Sequence, residues 1–304
     1  MPDILCLGEP LVEFNHLGGA DWRQGFGGDV SNVAVAAARQ GASVGLVTRI
    51  GEDGFGRMLG AMWDAESVDV THVARDADAQ TGLYFVTHGP EGHAFEYRRT
   101  GSAAAGMSPQ TLPDIGGAAI LHLSGISQAI SDSARATADA AITAAHRAGR
   151  RVSYDPNLRL ALWPLEVARP VILDTMARAD IALPGLEDAR TLLDLQEPEA
   201  ILQAVLQMGP AIVALTLGRD GVLLGTEEGV RHVPSPSVAA VDATGAGDCF
   251  DGAFLARLQA GDDPVEAARY AAQAAALSTT GYGAVAPIPE AATVRAALDA
   301  AGEG

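Results

Sequence analysis

Residues Asp242–Asp248 read Asp-Ala-Thr-Gly-Ala-Gly-Asp, with a helical apolar pattern following from Cys249 to Gln259. Glycine tolerates φ > 0 and close ligand approach, and successive N–H groups at a helix N-terminus form an anion hole that the helix dipole favours. Gly245, Ala246 and Gly247 therefore make a candidate phosphate-binding turn. Asp248 has two readings: a helix N-cap, a role aspartate fills well, or a proton acceptor beside a bound phosphoryl group. In a loose phosphoryl-transfer transition state the attacking hydroxyl loses its proton late, so an ordinary ionised aspartate suffices as base. Cys249 reads as a packed core thiol.

The chain contains no lysine, so its 20 basic residues are all arginine. A Walker A P-loop and Schiff-base chemistry both need a lysine and are excluded. Any anion must be held by arginine, backbone N–H groups or a metal ion. A second glycine pair, Thr216-Leu-Gly218-Arg-Asp-Gly221, is either a tight turn or a place where Thr216 and Gly218 meet nucleotide phosphates and Arg219 adds charge. A third cluster, Gly25-Phe-Gly27-Gly28-Asp29, precedes Ser31 and Asn32; helix capping explains Asp29 or Ser31, and a floor hydrogen-bonding sugar hydroxyls explains all three.

Gly82–Thr87 and His93–Arg99 are strand-like, and the intervening Gly89-Pro-Glu-Gly92 is rich in turn formers, which predicts a hairpin. Period two puts Phe95, Tyr97 and Arg99 on one face. An aromatic beside a guanidinium suits a polyhydroxylated anion gripped in a bidentate fork; an exposed edge strand accounts for the same pair. With strand-like Leu11–Phe14 and Trp22–Gly25, the hairpin forms either a small sheet over a site or a surface ornament.

The elements that must position these residues follow from an alternating pattern. Helices are expected over Ser31–Gln40, Phe55–Glu66 and Ser133–Ala148, and from Glu187 and Pro198. Strands are expected at Ser43–Arg49, Ile120–Leu123, Arg151–Tyr154, Ile181–Leu183, Ala211–Leu217, Val222–Gly225 and Val238–Val241. Alternation of this kind implies βαβ units and a parallel sheet covered on both faces.

A length of 304 residues and 48% hydrophobic content suit one large core. The formal charge of −18, with basic residues at most paired, disfavours nucleic acid. The start of the chain lacks a signal-peptide pattern, and no apolar run reaches the roughly 20 residues of a membrane span. Two distant cysteines, Cys6 and Cys249, fit a reducing compartment. These readings place the protein in the cytoplasm, with no membrane partner.

The runs Gly27-Gly28-Asp29-Val30-Ser31-Asn32-Val33-Ala34 and Asp242–Asp248 resemble the two glycine signatures of ribokinase-like, or PfkB, carbohydrate kinases, and the likeness spans nearly the whole chain. The resemblance implies an α/β fold: a ribokinase-like three-layer sandwich with a central, mostly parallel sheet, one kinase domain over 1–304, and a small β-sheet lid from about 10–28 and 80–102. It implies ATP as donor, Mg²⁺ as cofactor, and Asp248 as catalytic base with Gly245, Ala246 and Gly247 around it. Thr216, Gly218, Arg219, Gly221, Gly245 and Gly247 would meet the nucleotide. Many members bind a monovalent cation such as K⁺ near this segment, and many are dimers or larger, so a homo-oligomer through the lid is expected.

Within the family, four stretches resemble 2-keto-3-deoxygluconate kinases: Gly8-Glu-Pro-Leu-Val-Glu13, Thr81-Gly-Leu-Tyr-Phe85, Tyr97-Arg-Arg-Thr-Gly-Ser-Ala103, and Leu121-His-Leu-Ser-Gly125 with Tyr154-Asp-Pro-Asn-Leu-Arg159. By that resemblance Gly28, Tyr84, Tyr97, Arg99, Asn157 and Arg159 contact the acid sugar and Asp248 reaches the hydroxyl to be phosphorylated; Asn32, from the third glycine cluster, is the floor residue expected beside them. Where relatives carry Asn-x-x-Glu to place Mg²⁺ through water, this chain has Pro184-Gly-Leu-Glu187, which leaves Glu187 as the metal candidate. The expected reaction is ATP-dependent phosphorylation of 2-keto-3-deoxy-D-gluconate to its 6-phosphate. A fructokinase or ribokinase type acting on a neutral sugar is the nearest rival. A non-catalytic sugar- or nucleotide-responsive binding protein is the rival of another class, and the presence of Asp248 argues against it.

Overall fold

The computed structural model describes residues 2–89 and 92–302. Its strands are β1 (Ile4–Leu7), β2 (Leu11–Gly18), β3 (Asp21–Gly27), β4 (Val44–Gly51), β5 (Val73–Asp76), β6 (Leu83–Gly89), β7 (Gly92–Arg98), β8 (Ile120–Ser124), β9 (Arg151–Asp155), β10 (Ile181–Ala182), β11 (Ile212–Thr216), β12 (Val222–Thr226) and β13 (Gly229–Val233). Nine form one sheet in the order β13-β12-β11-β10-β9-β8-β1-β4-β5. It is parallel from β5 to β11 and ends in two antiparallel pairings through β12 and β13. β1 and β8 are wholly buried, as strands covered by helices on both faces must be.

The helices are α1 (Asp29–Arg39), α2 (Gly54–Ala65), α3 (Gly125–Ala129), α4 (Asp132–Arg147), α5 (Leu165–Arg178), α6 (Leu186–Leu193), α7 (Pro198–Met208), α8 (Ala246–Ala260), α9 (Pro264–Ser278) and α10 (Ala291–Gly302). Apolar faces of α1, α8 and α9 pack on one side of the sheet, with Val33, Phe254 and Ala271 in that core. Faces of α4, α5 and α7 pack on the other, around Ala138, Ile172 and Leu202. This gives helix, sheet and helix layers. No helix among the described residues is long and apolar enough to cross a membrane.

A second, four-stranded sheet has the order β3-β2-β6-β7. β6 and β7 pair antiparallel, with Tyr84 opposite Tyr97 and Val86 opposite Phe95, as the expected hairpin requires. The Pro90-Glu91 part of its turn lies outside the described residues. Phe14 and Phe85 stack at 5.5 Å between ring centroids, and Trp22 meets Phe85 edge-on at 5.6 Å.

One expected strand is absent. Val238–Val241 is irregular: Pro234 and Pro236 precede it, and it pairs with no strand among the described residues. Its end is fastened instead through the amides of Val241 and Asp242, which donate to the Thr279 carbonyl at 2.7 and 3.0 Å.

Candidate active site

Three elements of the large layer, joined by the small sheet, bring the polar residues together at the carboxyl ends of the parallel strands, where open α/β sheets bind their ligands. The first is the turn into α8. Asp242 shapes it: Oδ1 accepts from the Thr244 amide at 2.9 Å and the Thr244 hydroxyl at 2.7 Å, and Oδ2 from the Gly283 amide at 2.9 Å. Gly245 is the N-cap with φ 75°. A side chain there would be strained and would meet the Ala284 carbonyl at 2.9 Å. Asp248 is therefore no cap; it stands at the third helical position, and its Oδ2 accepts from Asn32 Nδ2 at 2.7 Å.

The second element is the start of α1. Gly28 is its N-cap with φ 91°, and a Cβ there would run into the Glu9 carbonyl and Pro10. Neither Asp29 nor Ser31 caps the helix. Ser31 is turned into the core, where its hydroxyl accepts from Trp63 Nε1 at 2.9 Å, so it is no part of a sugar floor. Asp29 and Asn32 do face the cavity. Asp29 Oδ2 accepts from the Ser124 hydroxyl and, at 3.4 Å, from Asn157 Nδ2. Asp29 Oδ1 and Asn32 Oδ1 are buried without a side-chain hydrogen-bond partner, on two residues that line the cavity.

The third element is the segment after β9, where Asn157 has φ 34° and its amide donates to Asp155 Oδ1 at 3.0 Å. Arg159 follows, half exposed, with Nη1 3.7 Å from Asp188. From the small sheet come Tyr84 and Tyr97, stacked at 5.8 Å, and Arg99, whose guanidinium lies 5.4 Å from the Tyr97 ring centroid. Tyr84 Oη donates to buried Glu13. Arg99 stands just past β7 and is ion-paired with Glu9.

These groups line one cavity of about 780 Å³. It holds Gly28, Asn32, Tyr84, Tyr97, Arg99, Asn157, Arg159, Thr216, Gly245, Gly247 and Asp248 of the expected residues. Gly218 and Arg219 are exposed outside it. Gly221 is buried with φ 95° against the Val233 carbonyl, a structural glycine. Ala246 also lies outside the lining, and its amide donates to the Ala243 carbonyl at 3.2 Å, which takes it from the anion hole. Glu187 points to solvent in an ion pair with Arg190 at 2.7 Å; its neighbour Asp188 faces the cavity instead. Among the described residues no group of three or more His, Cys, Asp or Glu side chains could hold a metal ion.

The electrostatics are dominated by carboxylates: Asp29, Asp155, Asp188, Asp248 and Asp251 line the cavity against Arg99 and Arg159. Burial and then the Asp29 charge push Asp248 up to about 7, against the Asn32 hydrogen bond and Arg159. Burial also lifts Asp155 and Asp251 well above the carboxylate range, each further raised by neighbouring aspartates. Asp248 is thus not the ordinary ionised aspartate expected; it titrates near neutrality. Cys249, pushed up to about 12 by burial, is the inert core thiol expected.

Sequence reasoning passed over Glu9, Asp155, Asp188 and Asp251. Asp251 carried a usable signal, since it lies three residues after Asp248 on the same helical face, between apolar neighbours. Asp155 likewise ends a buried strand, at the carboxyl edge.

The family model for pfkB family carbohydrate kinase matches residues 1–291. The chain belongs to the pfkB family of carbohydrate kinases. It is 33% identical over 290 residues to the 2-dehydro-3-deoxygluconokinase of Thermoproteus tenax, covering 91% of this chain and 88% of that one. It is 34% identical over 300 residues to the fructokinase of Klebsiella pneumoniae, covering 94% and 96%. Among solved structures, a fructokinase double mutant from Vibrio cholerae O395, in a form with fructose, ADP and potassium ion, superposes with a TM-score of 0.89 at 29% identity, covering 96% of this chain and 97% of that one. The kinase therefore carries the ribokinase-like fold, and its substrate is a sugar.

Proposed function

We propose that this kinase transfers the γ-phosphoryl group of ATP to the 6-hydroxyl of 2-keto-3-deoxy-D-gluconate. The observation that carries the acid-sugar reading is Arg159, half exposed and loosely paired, in one cavity with stacked Tyr84 and Tyr97 and with Asp248, while Arg99 beside them is held by Glu9. Guanidinium groups grip a carboxylate in a bidentate fork, and aromatic rings cover the carbon chain. Similarity to the Thermoproteus tenax enzyme supports the same choice.

In this reading Asp248 Oδ1, free of the Asn32 bond on Oδ2, accepts the hydroxyl proton as oxygen bonds to the γ-phosphorus. The bond to the bridging oxygen breaks and ADP leaves. Gly245 and Gly247 open the backbone to the phosphates, and Thr216 stands beside them at the end of β11. ATP supplies the phosphoryl group. Mg²⁺ would arrive with the nucleotide: Glu187 points to solvent beside Arg190, and the described residues offer no group of three or more His, Cys, Asp or Glu ligands. The exposed Leu17, Trp22 and Phe95 of the small sheet suit association of two copies there, which size-exclusion chromatography would read.

One observation favours a neutral sugar. Arg99 is already paired with Glu9, and Arg159 faces Asp188, so neither guanidinium waits unpaired. A coupled ADP-release assay over 2-keto-3-deoxygluconate, its galactonate epimer, fructose and ribose decides. The highest kcat/KM is expected for 2-keto-3-deoxygluconate; a higher value for fructose would overturn the assignment.

A further inference from the structure

We propose that Glu9 is a positioning residue that sets the preference of this kinase between acidic and neutral sugars by holding Arg99. The inference rests on the sugar-binding reading of the cavity given above. Glu9 lies between β1 and β2, where the chain leaves the large sheet for the small one, and its carboxyl is fully buried. Oε2 pairs with Arg99, and Oε1 accepts from the Ser102 hydroxyl at 2.7 Å. A Cβ at Gly82 would lie 3.1 Å from Oε1. Glu9 thus touches the chain both where it enters β6 and where it has left β7.

Arg99 is nearly as buried as its partner, at 10% side-chain exposure. Its charge is answered before any ligand arrives. A sugar carboxylate placed on the same guanidinium makes two carboxylates share one cation away from water, an arrangement that costs free energy steeply at low dielectric. A sugar hydroxyl meets no such cost. Arg159, by contrast, is 50% exposed and its contact with Asp188 is loose at 3.7 Å, so water screens that pair. Glu9 therefore weakens the hold on acids while keeping Arg99 oriented over the Tyr97 ring for hydroxyls.

Glu9→Gln keeps the shape and the Ser102 contact and removes the charge. The ratio of kcat/KM for 2-keto-3-deoxygluconate to that for fructose is expected to rise on the order of tenfold. An equal fall for both sugars, or an unchanged ratio, would show that Glu9 only braces the hinge and would overturn the proposal. If the unaltered enzyme phosphorylates fructose and no acid sugar, the substrate reading falls by itself. Acquisition of acid-sugar turnover by Glu9→Gln would then still support the role of Glu9, and its failure to appear would overturn it. Should that variant not fold, calorimetry on the unaltered protein in two buffers of different ionisation enthalpy decides. The charged and polar groups facing Glu9 are Arg99, Ser102 and Asp29. Proton uptake on binding the acid sugar but not fructose supports the proposal, and equal uptake for both overturns it.

Discussion

Asn32 and Asp248, 216 positions apart in the chain, are joined by a hydrogen bond of 2.7 Å from Nδ2 to Oδ2. The bond ties the first turn of α1 to the first turn of α8 and leaves Asp248 Oδ1 as the oxygen free to receive a proton. Asn32→Ala removes the tie. A charge-assisted hydrogen bond contributes about 1.5–3 kcal/mol, so kcat is expected to fall on the order of tenfold to a hundredfold in steady-state assays. An unchanged kcat would separate the amide from the chemistry.

Asp248→Asn tests the base itself. General-base catalysis contributes on the order of a hundredfold to ten-thousandfold, and the amide cannot accept the proton at neutral pH. The expected outcome is loss of turnover with nucleotide affinity retained in calorimetry. A variant keeping more than about a tenth of kcat would remove Asp248 from that role.

The acid limb of activity follows from burial. Asp248 is raised from 3.8 to about 7, so the ionised base fills in as pH rises through neutrality, and kcat/KM should climb to a plateau above pH 7. Asp29→Asn removes the second cause of that shift, and the limb should move to lower pH. The same shift has a stability sign. The folded state binds this proton more tightly than the unfolded chain, so the stabilisation is full below the unfolded value of 3.8 and is lost as pH rises toward about 7. Asp248→Asn should therefore raise the melting temperature relative to the unaltered protein at pH 8 and not at pH 4, as scanning calorimetry would show.

Much of this was legible in the sequence, for identifiable reasons. Glycines at 28 and 245 are forced by positive φ, and those constraints act within a few residues of chain, where pattern reading works. Periodicity placed Tyr97 and Arg99 together. Pairing across the fold was not legible: Asp248 reads as the base, but the Asn32 amide that orients it lies far away in the chain, and Arg99 reads as a free cation until Glu9 is seen beneath it. Val238–Val241 failed for a related reason, because an apolar run becomes a strand only if a neighbour offers its edge.

Arg159 provides the contrast to Arg99. It is half exposed and loosely paired, so it can turn to a sugar carboxylate without stranding a buried partner. Arg159→Ala is expected to raise KM for 2-keto-3-deoxygluconate on the order of tenfold or more, with a smaller change for fructose. Equal changes for both sugars would move carboxylate recognition elsewhere.

Gly252 explains how α1 and α8 come close enough for the Asn32–Asp248 bond. It lies one turn beyond Asp248, and a Cβ there would sit 2.5 Å from the Val33 carbonyl and 2.6 Å from Ala36 Cβ. Backbone cannot yield to such a contact as a flexible side chain can, so the helices must separate. Alanine gains about 1 kcal/mol of helix propensity over glycine, yet overpacking costs about 1–3 kcal/mol. Gly252→Ala should lower the urea midpoint and, because Asn32 and Asp248 ride on the separating helices, lower kcat as well. Stability lost with kcat intact would show that the hydrogen bond survives the displacement and that Gly252 serves packing alone.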